Sequence, residues 1–337
     1  MKKLGAMMLA MVTAGAMMTG CGTKATSQPE TVEDGLQVYT SFYPLYDFAK
    51  KVGGDKVNVV NLVPTGVEPH DYEPSARNIA GLEEADVFIY NGAGMESWVD
   101  KVLATLESTD LVVVEASDNI ELLEGHTHSH DEEEDHVQEA EETHTHEEED
   151  HAHETEEAHD HDEEGVDPHV WTSIRNAKIE MENIKNAFVE ADPANKDYYE
   201  ANYEKYAAEF DALDKQFTET LSQFENRDII VAHEAFGYLC DAYGLNQVAI
   251  EGLNSDSEPD PARMKEIVEF AKEKDIKVIF FEELVSPKVA ETIAKEIGAE
   301  TMVLNPIEGL TEEQLEAGED YLSVMAQNLE ALKVALQ

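Results

Sequence analysis

Short apolar runs alternate with amphipathic segments in both halves of the chain. Runs rich in β-branched and aromatic residues predict strands, and segments whose apolar positions recur every three or four residues predict helices. Strands are predicted at 37–40, 57–63, 87–90 and 111–114, and again at 229–232, 248–251, 278–281 and 302–304. Helices are predicted at 44–52, 75–84, 261–273 and 287–297. This alternation predicts an α/β fold with two similar lobes, each a mainly parallel sheet flanked by helices.

A long helical region separates the two predicted lobes. A helix predicted at 173–189 ends before Asp192 and Pro193, because proline breaks a helix and can open the next one. Beyond it, eight side chains are spaced by threes and fours along one face and predict a helix that buries this face in a core: Tyr199, Tyr203, Tyr206, Phe210, Leu213, Phe217, Leu221 and Phe224. The predicted organisation is an N-terminal lobe at 36–172, a connecting helical region at 173–227 and a C-terminal lobe at 228–337. Which helix joins the lobes stays open.

The N-terminus has the pattern of an export signal. Two lysines precede an apolar run at 4–18, which is too short to span a bilayer comfortably. The run ends at Gly20 and Cys21, which resemble a bacterial lipobox, although Met18 stands where leucine is usual. We expect a signal peptide at 1–20, lipidation of Cys21 that anchors the protein outside the cell membrane, and a polar tether at 21–35. Plain secretion with cleavage nearby is the alternative.

Composition narrows the class of ligand. The apolar content of 42% in 337 residues is ordinary for a globular protein. The net charge is −51, and it remains about −32 without the nineteen acidic residues of 126–164. This balance argues against nucleic acid and anionic substrates and favours cationic ligands. The second cysteine, Cys240, lies in an apolar stretch and is expected in the core, so we expect no disulfide in a mature, monomeric protein.

Ten of the thirteen histidines fall in one acidic segment at 126–164. Because Val137 is its only large apolar side chain, a disordered loop is predicted at 125–165. Neutral imidazoles bind zinc, copper or nickel, and the carboxylates raise the local cation concentration. We therefore expect the loop to capture metal through its histidines; the alternative is an acidic linker with incidental histidines. The candidates are His126, His128, His130, His136, His144, His146, His151, His153, His159 and His161.

Three histidines lie outside this segment, and each follows a predicted strand or stands at the entry to a helix. They are His70, between two prolines, His169, after Asp-Pro, and His233, after the first strand of the second lobe. Ligands of open α/β sheets bind at such positions. Each histidine alone could be structural, but three at equivalent sheet edges beside a metal-attracting loop predict a shared metal site. Asp71 and Asp167 are candidates to orient the imidazoles through their second ring nitrogen.

The residues around these histidines resemble the metal-binding lipoproteins of bacterial ABC importers. The motifs are Pro-x-Gly-x-x-Pro-His-x-Tyr-Glu-Pro at His70, Asp-Pro-His-Val-Trp at His169 and His-x-Ala-Phe-Gly-Tyr-Leu at His233. The resemblance runs from about residue 36 to the C-terminus, apart from the His-rich loop, and is closest to the high-affinity zinc uptake branch. It implies two α/β lobes joined by a rigid helix, one metal in the cleft between them, and a membrane permease with its ATPase as partners.

The resemblance also implies a fourth ligand, or a water, after the last strand of the second lobe. Glu308 is the candidate, with Glu282, Glu283 and a water as competitors. Three imidazoles and one carboxylate suit four-coordinate zinc, and manganese-binding relatives have Glu where this chain has His233. The expected site therefore holds Zn²⁺, as transported ligand, between His70, His169, His233 and Glu308.

Other functions stay open at this point: a manganese-type binding protein, a metal-buffering surface adhesin and a zinc hydrolase. The hydrolase is disfavoured because the fifth position from His233 is Gly237, so the His-Glu-x-x-His motif of metalloproteases is absent. Three histidines and a carboxylate would also close the coordination sphere and leave no position for an activated water. We therefore expect a binding protein rather than an enzyme.

Overall fold

The computed structural model describes residues 35–108, 110–125, 165–253 and 259–337. The predicted signal peptide, the lipidation site Cys21, the tether up to residue 34 and the ten loop histidines lie outside these ranges. In the described part of the chain, no helix combines the length and apolar character needed to cross a membrane.

The first sheet has four parallel strands in the order β2-β1-β3-β4. They are β1 (Leu36–Thr40), β2 (Val57–Asn61), β3 (Val87–Tyr90) and β4 (Val112–Glu115), accompanied by the helices α1 (Tyr43–Gly53), α2 (Ala76–Leu82) and α3 (Val99–Leu103). Successive side chains of β3 point to opposite faces. Val87 and Ile89 join the central core, whereas Phe88 packs with Leu82 and Trp98 on the other face. Both faces of this sheet are therefore covered.

Two long helices follow the first sheet, α4 (Ile174–Ala191) and α5 (Lys196–Leu221). Asp192 and Pro193 separate them, as the sequence predicts. The aromatic stripe of α5 lies in the core, with Tyr199, Phe210 and Phe217 fully buried. Helix α5 contacts α1 of the first lobe as well as elements of the second, so it spans the two lobes.

The second sheet repeats the topology of the first, in the order β6-β5-β7-β8. Its strands are β5 (Asp228–Val231), β6 (Asn246–Ala249), β7 (Val278–Phe281) and β8 (Glu300–Val303). Its helices are α6 (Gly237–Tyr243), α7 (Pro261–Glu273), α8 (Lys288–Ile297), α9 (Glu312–Ala317) and α10 (Tyr321–Ala335). Ile230 and Ile279 pack against α7 and α8, while Val231 and Phe280 face the central core. The prediction of two similar α/β lobes is confirmed.

One continuous core lies beneath both sheets and explains how the lobes are held together. It contains side chains from β1 and β3, from β5 and β7, and from α4, α5 and α10. At its centre the rings of Phe210 and Tyr321 stack with their centroids 5.2 Å apart, and Phe48 meets Tyr321 edge-on at 5.0 Å. Cys240 is buried in this core as a free thiol, as predicted.

Candidate metal centre

The carboxyl ends of the strands of both sheets meet at one cleft, and the candidate ligands lie there. His70 stands in the loop after β2, and its side chain is only 9% exposed. His233 follows β5 and Glu308 follows β8, with residue exposures of 1% and 3%. His169 precedes α4 and is fully buried. Four separate segments of the chain therefore place an imidazole or a carboxylate in one enclosed space.

His169 is held by the aspartate two residues before it. Oδ1 of Asp167 accepts hydrogen bonds from the backbone N–H of His169 at 2.9 Å and from its ring Nδ1 at 2.8 Å. Because Nδ1 carries the proton in this bond, Nε2 is left with its lone pair directed into the cleft. The structure thus contains the contact between Asp167 and the second ring nitrogen of His169, and the orienting role of Asp167 stays a prediction, whereas Asp71 is exposed.

His233 is held in the opposite sense. Its Nε2 lies 2.8 Å from the carbonyl oxygen of Leu253, and because a carbonyl only accepts, Nε2 must carry a proton. This leaves Nδ1 to face the cleft, 3.7 Å from Oε1 of Glu308 and 3.1 Å from Oε1 of Glu282. The tautomers of the two buried histidines are thus fixed by partners that lie outside the cluster.

Four of the distances among the donor atoms are close to those between the ligands of a tetrahedral zinc ion. Nε2 of His70 lies 3.1 Å from Nε2 of His169, and Oε1 of Glu308 lies 3.5, 3.3 and 3.7 Å from the donor nitrogens of His70, His169 and His233. All four atoms lie within 4.8 Å of one another. Zinc bonds of about 2.0–2.2 Å place neighbouring tetrahedral ligands about 3.3–3.6 Å apart. The group can therefore hold zinc with little rearrangement.

Two of these four donor atoms are buried and have no hydrogen-bond partner among the described residues. Nδ1 of His233 and Oε1 of Glu308 have no hydrogen bond of good geometry among the described residues. An unsatisfied buried donor or acceptor costs about 1–3 kcal/mol, so such pairs are uncommon without a ligand. A cation bound between them satisfies both atoms at once.

The charges of the four side chains also favour a bound cation. Burial alone would lower the pKa of His233, but the carboxylates of Glu282 and Glu308 raise it to about 10. Burial opposes a rise for His169 as well, and Asp167 and Glu308 outweigh it, so its pKa is also raised. For Glu308, burial is outweighed by its close contacts with the imidazoles of His169, His70 and His233, and its pKa lies well below the usual range. The carboxylate therefore favours positive charge beside it.

The competitors for the fourth position lie outside the four-atom group. Glu282 is buried at the end of β7 and contacts only Nδ1 of His233 among the four residues of the group. Glu283 turns away and accepts hydrogen bonds from Asn305 at 2.5 Å and Gln314 at 2.6 Å. The contact of Glu282 with His233, and that of Leu253, were missed in the sequence, because neither residue stands in a motif with a histidine.

The two ends of the His-rich segment meet beside the centre. The backbone N–H of Gly125 donates to the carbonyl of Gly165 at 2.8 Å, and that of Asp167 donates to the carbonyl of Leu123 at 2.9 Å. These bonds form a short antiparallel stem. The chain therefore leaves and returns within a few residues of His169.

Comparison with known proteins agrees with this geometry. The family described as zinc-uptake complex component A, periplasmic, matches residues 38–335. The chain belongs to this zinc-uptake family. Its relative in Bacillus subtilis, the high-affinity zinc uptake system protein ZnuA, is 43% identical over 321 residues, which cover 95% of this chain and 94% of that protein.

A further relative, and the solved structure of one of its domains, come from Streptococcus pneumoniae. The zinc-binding lipoprotein AdcA is 42% identical over 310 residues, which cover 92% of this chain but only 57% of AdcA. The crystal structure of the Zn(II)-bound ZnuA-like domain of AdcA superimposes with a TM-score of 0.71 at 38% identity, covering 90% of this chain and 99% of that domain. The chain thus spans little more than half of AdcA, and the part it matches is the ZnuA-like domain. The resemblance predicted from the three histidine motifs is confirmed.

Proposed function

We propose that this protein captures Zn²⁺ outside the cell membrane and delivers it to the permease of an ABC importer. His70, His169, His233 and Glu308 are the ligands of one zinc ion in this proposal. The observation that carries it is the convergence of four donor atoms within 4.8 Å of one another, three of them on fully or nearly fully buried residues. Membership of the zinc-uptake family and the zinc-binding names of its members support the choice of metal.

The donor set argues for transport rather than catalysis. A catalytic zinc site keeps one position for a water or substrate, whereas three imidazoles and a carboxylate fill a tetrahedral sphere. Imidazole-rich sites also favour zinc over manganese, which prefers oxygen ligands and higher coordination. We therefore propose a binding protein that holds zinc as cargo and performs no chemistry on it.

The location and partners follow from the same proposal. Lipidation at Cys21 would hold a monomeric protein at the outer surface of the membrane, beside the permease and its ATPase. AdcA, which is named a lipoprotein, supports the anchor.

The His-rich segment is proposed to assist capture. Its stem at Gly125 and Gly165 is joined to Asp167, two residues from His169, so zinc held weakly by the loop histidines would be concentrated near the tight site. Carboxylates in the segment would attract the cation, and the imidazoles would coordinate it.

Metal stoichiometry and affinity test the proposal, measured by calorimetry with elemental analysis on the mature protein and on a variant without 126–164. Because Gly125 and Gly165 are hydrogen-bonded neighbours, an Asn-Gly turn can close the gap. We expect one tight zinc ion in both proteins, weaker manganese binding, and additional weak zinc sites only when the segment is present. If the deletion abolishes tight zinc binding, the His-rich segment itself is the main zinc site, and the protein is better described as a metal buffer.

A further inference from the structure

The loop that carries Glu308 contains a strained residue. Glu308 lies between β8 and α9, and Ile307, directly before it, has a φ of +63° and is fully buried. A β-branched residue in the left-handed region is a conformational outlier, because its side chain crowds the backbone. Such strain persists only where surrounding contacts impose it, and it clusters at functional sites.

The side-chain amide of Asn305, two residues before Ile307, makes the contact that holds Ile307 in this conformation. Oδ1 of Asn305 accepts a hydrogen bond from the backbone N–H of Ile307 at 2.7 Å, which is the geometry of an Asx turn. The carbonyl of Pro306 between them accepts from Nε1 of Trp171 at 2.6 Å. Trp171 lies two residues after His169, so the two metal-binding loops are tied to each other.

Every polar group of Asn305 has a partner. Its backbone N–H donates to Oδ1 of Asn328 at 2.9 Å, and its carbonyl accepts from Nδ2 of Asn328 at 2.7 Å. Its own Nδ2 donates to Glu283 at 2.5 Å. Because one end of the amide faces a donor and the other a carboxylate, only one orientation of the side chain fits. Asn305 is therefore a rigid support rather than an adaptable polar residue.

We propose that Asn305 is a positioning residue of the metal centre, which holds the Glu308 carboxylate on the zinc through the left-handed turn at Ile307. This proposal rests on the proposed function, because it takes Glu308 as a zinc ligand. Asn305 itself stays outside the coordination sphere. Without its acceptor, the turn relaxes toward ordinary backbone and the carboxylate leaves the position at which it lies 3.3–3.7 Å from the three imidazoles.

A double-mutant cycle between Asn305→Ala and Glu308→Ala tests whether Asn305 affects zinc binding through Glu308. Zinc dissociation constants are measured by chelator competition on the full mature chain. We expect Asn305→Ala to raise the zinc Kd by about 10–100-fold in the wild-type background, as for other residues that orient a ligand. In the Glu308→Ala background the same change should alter the Kd by no more than about twofold, because its target is gone.

Two variants separate positioning from a loss of folding. Asn246→Ala is the matched control, because Asn246 is an exposed asparagine of the same lobe that donates to Asp228 at 3.0 Å, and its zinc Kd should not change. Asn305→Ser keeps an oxygen that can accept from Ile307, so it should recover part of the lost affinity. The visible spectrum of bound Co²⁺ gives a second readout, in which Asn305→Ala should shift toward Glu308→Ala.

The possible outcomes are distinguishable. An unchanged Kd in Asn305→Ala, or an equal loss with and without Glu308, would overturn the positioning role while leaving the zinc site intact. Should Asn305→Ala not fold, the Asn305→Ser protein decides by the same cycle. If the wild-type protein has no tight zinc site, or if Glu308→Ala binds zinc as well as wild type, the proposed ligand set itself is wrong.

Discussion

A single carboxylate oxygen of Asp167 accepts two hydrogen bonds from His169, one from the backbone N–H at 2.9 Å and one from the ring Nδ1 at 2.8 Å. The backbone position and the tautomer of this imidazole are thereby set together. The outer nitrogen of His233, Nε2, instead contacts the carbonyl oxygen of Leu253 at 2.8 Å. His169 is therefore held by a charged group, and His233 by a backbone carbonyl.

Asp167→Ala is expected to weaken zinc binding by about 10–100-fold, because His169 loses the partner that orients it and raises its basicity. Calorimetric titration with zinc measures the change. Asp71→Ala is the matched control, since Asp71 adjoins His70 but is exposed, and its zinc affinity should stay at the wild-type value. Equal losses in the two variants would mean that general negative charge, rather than orientation, supports the site.

His233→Glu is expected to weaken zinc binding and to raise the affinity for manganese relative to zinc. The substitution replaces a nitrogen donor by oxygen, which suits manganese better. It also brings a third carboxylate beside Glu282 and Glu308 and leaves the carbonyl of Leu253 without its donor. Parallel titrations with the two metals give the ratio, and an unchanged zinc affinity would remove His233 from the ligand set.

The convergence of the three candidate histidines could be predicted from the sequence because each carries its own local signal. His70 and His233 follow strands, and His169 opens a helical segment, so the carboxyl-end rule of open sheets brings them to one edge. Glu308 lies in an acidic chain with many equivalent carboxylates, and only the family resemblance singled it out. Asn305 gave no signal at all, because its role depends on a backbone angle at Ile307 that composition does not encode.

The bounds of the strands and helices show the same limit of prediction from sequence. The apolar pattern predicts strand β6 at 248–251, whereas the strand runs from Asn246 to Ala249, because this edge strand begins with polar residues that pair with β5. Helix α10 was not predicted, although it contributes to the shared core and its Asn328 supports Asn305. The bounds of β6 depend on its pairing with β5, and α10 depends on packing against distant parts of the chain. Neither can be derived from the hydropathy pattern.

Glu96 is expected to make the stability of the first lobe depend on pH. Burial raises its pKa from 4.5 to about 7, against hydrogen bonds from Ser41 and from the backbone N–H groups of Asn91 and Gly92, which lower it. A raised folded-state pKa of an acid means that the neutral form stabilises the fold. This contribution is fully present below about pH 4.5 and is lost as the pH rises through 7.

Glu96→Gln mimics the neutral acid and tests this sign. Relative to wild type, this variant should gain stability as the pH rises, so that its free energy of unfolding increases against the wild-type value by up to about 3 kcal/mol between pH 4.5 and pH 8. A constant offset from the hydrogen bond lost at Gly92 does not affect the slope. Urea unfolding of metal-free protein at several pH values measures the difference. A difference that does not vary with pH would show that Glu96 titrates normally.

Lys51 joins the first lobe to the C-terminal helix through two ionic contacts of its buried ammonium group. Its Nζ lies 2.7 Å from carboxylate oxygens of Asp47 on α1 and of Asp320, the N-cap of α10, and its side chain is 6% exposed. Lys51→Met removes the cation and leaves Asp47 buried beside another carboxylate. Because a stranded buried charge is costly, we expect about 3–5 kcal/mol of destabilisation in denaturant unfolding.

Lys215→Met provides the matched control for Lys51, since the Lys215 and Glu219 side chains are 73% and 64% exposed at 3.7 Å. Solvent screening limits such a pair to well under about 1 kcal/mol. Adding Asp47→Asn to Lys51→Met should recover part of the loss, because the stranded charge is removed. If Lys51→Met costs no more than Lys215→Met, the contact between α1 and α10 contributes nothing measurable, and the shared aromatic core around Tyr321 holds the two elements together without it.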